Sequence, residues 1–239
     1  MRVRMRRILA GIGVSAALAS GMAFAPGIVP GAEQLPSAHA VEGGRDALWQ
    51  PWTAKVTAEG SLCTGSVIGP HWVLTAAHCV GEEEAAHGAV SAGARAERTA
   101  AIDRVIHAPG GADAALIHTA TSLGVRPVSL PVPGPIPHQP GQFSGWGHGR
   151  YPLQTGSATV VGEYRDHHRG EARMLVTHST RGAQEPGDSG GPFHIGPVLY
   201  GVLSSTGARD PQGHVDANYT AVDQLIPWIY RTIGENSFH

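Results

Sequence analysis

After Val41 the apolar residues of this chain come in short segments, each bounded by glycine, proline or a charged residue. Trp52–Val56, Ser66–Ile68, Trp72–Leu74, Arg104–Ile106, Val198–Leu203 and Tyr219–Val222 are such segments. With 33 glycines and 18 prolines available for turns, and few stretches of helical period, the pattern predicts short strands and an all-β fold. A helix is predicted only at the end, where Leu225, Ile229 and Ile233 recur at four-residue spacing behind a capping Asp223, with Pro227 in the first turn. Five prolines in 131–141 separate two halves of similar strand content. Two small β-barrels joined by a connector fit this layout, and so does a sandwich.

The first residues read as an address rather than as fold. Arg2, Arg4, Arg6 and Arg7 form a basic start, Ile8 to Ala25 is uncharged and apolar, and Ala23-Phe24-Ala25 is a small-x-small cleavage pattern. The segment predicts a signal peptide over 1–25; a membrane anchor is the alternative for an apolar run of 18 residues, and its five Gly and Ser residues argue against that. Pro26 disfavours cleavage at the first site, and Ala38-His39-Ala40 offers a second. Residues 26–40 therefore read as a propeptide or linker and 41–239 as the folded domain. A chain starting at Val41 loses four Arg and Glu33 and carries a formal charge of −5. Such a balance argues against nucleic acid as a partner and against anionic surfaces. Cys63 and Cys79 are the two cysteines; an even count in an exported chain favours a disulfide, with two buried thiols as the alternative.

Two segments carry chemistry. Ser189 stands in Gly187-Asp188-Ser189-Gly190-Gly191-Pro192, where flanking glycines permit a tight, positive-φ loop. Such a loop presents a hydroxyl and aims successive N–H groups at one point, as acyl transfer requires. His78 follows the apolar strand Trp72–Leu74 and precedes Cys79. A neutral imidazole is the base a serine hydroxyl needs near pH 7. The adjacent His167 and His168 lack a spaced third ligand and read as a solvated loop, so no metal and no cofactor are expected.

Thr75-Ala76-Ala77-His78-Cys79 together with the Ser189 segment resembles the trypsin/chymotrypsin family of serine proteases, in its secreted bacterial form. Cys63–Ile68, Ser144-Gly145-Trp146-Gly147, Gly201–Ser204 and Trp228-Ile229 resemble further stretches of that family, so the likeness runs through most of the domain. It implies two six-stranded antiparallel β-barrels with a C-terminal helix, joined near 131–141. It implies a Cys63–Cys79 disulfide and a third catalytic residue, Asp113, in Asp113-Ala114-Ala115-Leu116-Ile117; Asp103 and Asp166 are the competitors. By the same resemblance Ser189 is the nucleophile, His78 the base and Asp113 its orienter, and the N–H groups of Gly187 and Ser189 form the oxyanion hole. Val41-Glu42-Gly43-Gly44 resembles the start of an activated zymogen, whose new α-amine pairs with Asp188; Glu42 departs from the usual apolar second residue.

The family's primary pocket is implied at Ala183, Ser204 and Thr206. Without a carboxylate at Ala183, and with Thr206 narrowing the mouth, small or medium apolar substrate groups are expected, while Glu185 and Asp216 lie close enough in sequence to recruit a cation instead. The expectation is a secreted, monomeric serine endopeptidase acting on proteins or peptides, without stable membrane association after processing. Its alternative is a non-catalytic or weakly active protease-fold binding protein. An esterase with its histidine last in the chain is excluded by order, since His78 comes first.

Overall fold

The computed structural model describes residues 41–81 and 87–235. The signal peptide expected over 1–25 and the propeptide or linker expected over 26–40 lie outside the described residues. Thirteen strands are described: β1 Arg45–Asp46, β2 Thr53–Ala58, β3 Ser61–Gly69, β4 Trp72–Thr75, β5 Gly88–Ala92, β6 Arg98–His107 and β7 Ala115–Thr119, then β8 Pro140–Gly145, β9 Gln154–Asp166, β10 Ala172–Arg181, β11 Pro192–Ile195, β12 Val198–Arg209 and β13 Val215–Ala221. The helix α1, Ile226–Glu235, follows. Every segment expected to be a strand falls on one, with only Trp52 and Val222 just outside β2 and β13, and the strands run longer than the apolar runs that announce them. β6 begins at Arg98, and of its ten residues only Ala100 and Val105 are buried, so its apolar signal is diluted.

The chain forms two antiparallel barrels. β2-β3-β4-β7-β6-β5 close into the first. In the second, β9-β10-β13-β12-β11-β8 form a sheet that β8 closes by pairing with β9, and β1 adds to the outer edge of β9. Closure removes the exposed edges that a sandwich would leave. The first barrel is filled by Val56, Val67, Leu74, Val90, Leu116 and Ile117, and the second by Phe143, Leu175, Phe193, Leu203 and Tyr219. Leu225, Trp228 and Ile229 bring the helical end of the chain onto the first core. Trp146 joins the halves: its Nε1 donates to the Thr53 carbonyl (3.1 Å) and its backbone N–H to Thr64 Oγ1 (3.0 Å).

One local expectation is corrected. Asp223 does not cap α1; it begins a 3-10 turn, Asp223–Leu225, that runs into the helix, and its carboxylate accepts from the Gln224 N–H (3.0 Å) and contacts the Arg173 guanidinium. The cation from β10 takes the oxygen that a cap would have offered. The solvated loop at His167 and His168 is a 3-10 turn between β9 and β10, where exposed His167 pairs with Glu171. Among the described residues no helix is long and apolar enough to cross a membrane.

Candidate active site

β4 ends at Thr75 and passes into a 3-10 turn, Ala77–Cys79, that carries His78. Cys79 is bonded to Cys63 on β3, with Cα atoms 6.1 Å apart, so the turn is tied to the adjoining strand. Asp113 sits just before β7, whose Ala115 is paired with Thr75 of β4, and this register sets the carboxylate beside the imidazole. Asp113 Oδ2 lies 2.8 Å from His78 Nδ1, and Asp113 Oδ1 accepts the His78 backbone N–H at 3.1 Å. Asp103 and Asp166 are not in this arrangement: Asp103 pairs with His118 on the outside of the first barrel, and Asp166 Oδ1 accepts the His168 N–H.

Asp113 is buried, and two more groups hold it. Ser204 Oγ donates to Oδ2 at 2.7 Å, and Thr220 Oγ1 donates to the Asp113 carbonyl at 3.0 Å. Burial alone would push the carboxyl up, but the hydrogen bonds from His78 and Ser204 outweigh it and hold Asp113 well below the usual carboxylate range. Arg169, from the β9–β10 turn, reaches the same place: its Nη1 contacts Asp113 Oδ2 and donates to Ser204 Oγ at 2.7 Å. Nothing in the local sequence pattern singled out Arg169.

Ser189 lies in the loop between β10 and β11, packed on the first barrel. Its carbonyl accepts the Thr64 N–H at 2.8 Å, and Cys79 Sγ lies 3.7 Å from the same oxygen. The two glycines do what such a loop demands. Gly187 has φ 101°, and Gly190 has φ 78° with room for no Cβ, which would come within 2.2 Å of Thr75 Oγ1. Thr64 Oγ1 donates to the Gly187 carbonyl (2.9 Å) while accepting from Trp146, so one buried hydroxyl spans strand, turn and loop. Among the described residues, neither the Gly187 nor the Ser189 N–H donates to a protein acceptor.

Asp188 points the other way, into the second barrel. Gly147 N–H donates to Oδ1 (2.7 Å) and Glu185 N–H to Oδ2 (2.8 Å). The Gly-Trp-Gly turn is the cradle for this carboxylate: a Cβ on Gly145 would fall 2.0 Å from Asp188 Oδ1. Burial pushes Asp188 up to about 8, more than the two backbone bonds offset. Val41 is fully buried in the same barrel's core, and Glu42 pairs with Ala183 through two backbone bonds (3.1 and 2.9 Å). The side chain of Glu42 faces out and pairs with Arg209 at 2.7 Å, which is why a charged residue fits there.

A cavity of about 190 Å³ opens beside Ser189, lined by Gln184, Glu185, Pro186, Leu203, Ser205 and Thr206. Of the residues expected in the pocket, Thr206 is on this wall. Ala183 is 1% exposed and occupied with Glu42, and the Ser204 hydroxyl is turned to Asp113. Gln184 Nε2 donates to the Tyr219 hydroxyl (2.8 Å), leaving its Oε1 buried without a partner. Glu185 faces Arg209 in close contact and His148 at 3.4 Å. Asp216 is elsewhere, paired with His178 across β10 and β13.

The trypsin family model matches residues 42–229. The chain belongs to the trypsin family. It is 26% identical to an uncharacterised peptidase of Corynebacterium glutamicum (strain R), over 84% of this chain and 72% of that one. It is 30% identical to kallikrein-8 of Rattus norvegicus, over 78% and 83%. Among solved structures, kallikrein-related peptidase 10 superposes with a TM-score of 0.63 at 25% identity, covering 78% of this chain and 97% of that one. A scabies mite inactivated protease paralogue has the same fold, with a TM-score of 0.67 at 21% identity over 80% and 99%.

Proposed function

We propose that this protein is a secreted serine endopeptidase in which Ser189 attacks the peptide carbonyl, His78 takes and returns its proton, and Asp113 holds His78 in one tautomer. The observation that carries this reading is the His78–Asp113 pair, closed by Ser204 and set beside a glycine-rich loop that offers a serine and two uncommitted N–H groups. Those N–H groups, on Gly187 and Ser189, are the oxyanion hole of the proposal. The tetrahedral oxyanion gains charge as Ser189 bonds the carbon, and fixed donors stabilise it without reorganisation. The leaving amine takes the proton from His78; water then attacks the acyl-enzyme with His78 again as base. The Cys63–Cys79 bridge and the basic, apolar N-terminus favour an oxidising, extracellular setting, with a monomer acting on proteins or peptides.

The proposed substrate preference is for small or medium apolar groups in the cavity beside Ser189, where fit is worth about 1–3 kcal/mol per methylene. Glu185 supports this rather than opposing it, because Arg209 already compensates its charge. A positional peptide library checks the preference; cleavage mainly after Arg or Lys overturns it.

The activity itself is tested by labelling the secreted protein with a fluorophosphonate. Ser189→Ala abolishes labelling and lowers kcat by about 10⁵–10⁶-fold, because the three residues act as a unit. Asp113→Asn lowers kcat by about 10⁴-fold. A wild-type protein that takes no label and cleaves no peptide is the binding protein of the alternative reading.

A further inference from the structure

On the second barrel, away from the Ser189 loop, His178 of β10 meets Asp210 and His214 of the turn joining β12 to β13. One ligand atom from each lies within 4.8 Å of the others. The rings of His178 and His214 stand edge to face with centroids 5.4 Å apart. Neither the proposed chemistry nor the cavity beside Ser189 uses these residues.

We propose that His178, Asp210 and His214 form a site for a divalent transition metal of the zinc class, with the fourth position open to water. Two imidazoles and a carboxylate suit zinc, cobalt or nickel rather than calcium or magnesium, which take oxygen donors. The spacing between His214 and Asp210 is that of ligands rather than of a hydrogen-bonded pair. His214 Nδ1 and Asp210 Oδ2 stand 3.5 Å apart, beyond a good N–H···O bond. Metal bonds of about 2.0–2.1 Å in a tetrahedron place neighbouring ligand atoms about 3.3 Å apart. The third ligand, His178, comes from a different strand, so the metal closes a bridge rather than decorating a turn.

Two of the three ligands are already oriented. Asp210 Oδ1 accepts the backbone N–H groups of Gln212 (2.9 Å) and His214 (2.7 Å), which leaves Oδ2 for the metal. His178 Nδ1 lies 2.8 Å from Asp216 Oδ1, the carboxylate–histidine arrangement that fixes a ring and keeps the lone pair on its other nitrogen. All four side chains remain accessible enough for an ion to enter. Bound metal would fasten β10, whose chain continues to Gln184 and Glu185, to the end of the hairpin that carries Ser205 and Thr206. Its effect on turnover therefore falls on KM more than on kcat.

The test uses the secreted chain carrying Ser189→Ala, titrated with zinc sulfate by calorimetry and followed by thermal melting. One zinc per chain is expected, with a Kd in the micromolar range or below and a rise in Tm. His214→Gln and His178→Ala, both at partly exposed positions, weaken binding more than tenfold and remove the rise. Asp216→Asn, acting through His178, weakens it about 10–100-fold. Absence of binding overturns the proposal, and so does zinc bound equally well by the two histidine variants, which would place the metal on other histidines. Neither result bears on the proteolytic reading, which the fluorophosphonate label tests separately.

Discussion

Asp113 has a neighbour that orienting a histidine does not require. His78 and Ser204 already satisfy its carboxylate, yet the Arg169 guanidinium contacts the same oxygen and shares Ser204. A cation there compensates part of the buried carboxylate charge, so Arg169→Gln is expected to lower Tm, by no more than about 1 kcal/mol in stability because the guanidinium is one-third exposed and water and salt damp its field. The loss shrinks at high ionic strength. Turnover stays within about tenfold of wild type, since Asp113 keeps the hydrogen bonds from His78 and Ser204. A Tm unchanged at low salt would show that the guanidinium does not support the carboxylate.

Among the elements, β3 does more for the site than its place in the barrel suggests. Thr64 donates to the Gly187 carbonyl and accepts from Trp146, its N–H holds Ser189, and its carbonyl accepts from Thr75 Oγ1 at 2.8 Å. Thr64→Val keeps the shape and deletes the hydroxyl, stranding a buried carbonyl and N–H at a cost of about 1–3 kcal/mol. A lower Tm and a kcat reduced more than KM is altered are expected, with Thr64→Ser recovering most of both; a valine variant with wild-type kcat would refute the role. This element also marks how far the sequence could be read. The strand was legible from its apolar run, and the His78 and Ser189 segments from residues adjacent in the chain. The even cysteine count favoured a Cys63–Cys79 bridge, whereas the two barrels came from the family resemblance, because the strand pattern alone allowed a sandwich as well. Thr64, Arg169 and Gln184 were not legible, because each acts across a contact between distant segments that only the closed barrels create. Asp223 misled for the same reason: its cap-like position is local, whereas the Arg173 that engages it arrives from β10.

At the scale of the whole molecule, the question is what cleavage before Val41 would change. Val41 is already buried in the second barrel and Glu42 is already paired with Ala183, so the start of the domain is docked beside the Ser189 segment. While Val41 remains joined to Ala40 its nitrogen is an uncharged amide. Among the described residues Asp188 is then a buried carboxylate with two backbone donors and no cation to pair with, pushed up to about 8 chiefly by desolvation. A raised folded value means that the stability tied to this group is fully present below its ordinary 3.8 and is lost as pH rises through about 8. In the uncleaved chain carrying Ser189→Ala, Asp188→Asn is therefore expected to raise Tm at pH 8, with the gain fading toward zero near pH 4. Cleavage reverses the sign. A free α-amine on Val41 supplies the missing cation, the proposed pair orders the loop that bears the Gly187 and Ser189 N–H groups, and loss of the carboxylate becomes harmful. In the processed enzyme Asp188→Asn should lower kcat by about 10²–10³-fold, the cost of losing an oxyanion donor. Activity of the processed wild type should fall at alkaline pH as the ammonium deprotonates, above its free value of about 7.7–8.0. Melting curves of the two uncleaved proteins at pH 4 and 8, beside turnover of the processed pair, decide the matter: a substitution that destabilises the uncleaved chain at pH 8 would mean that Asp188 has its charge compensated before cleavage, and that the switch is not built on this carboxylate.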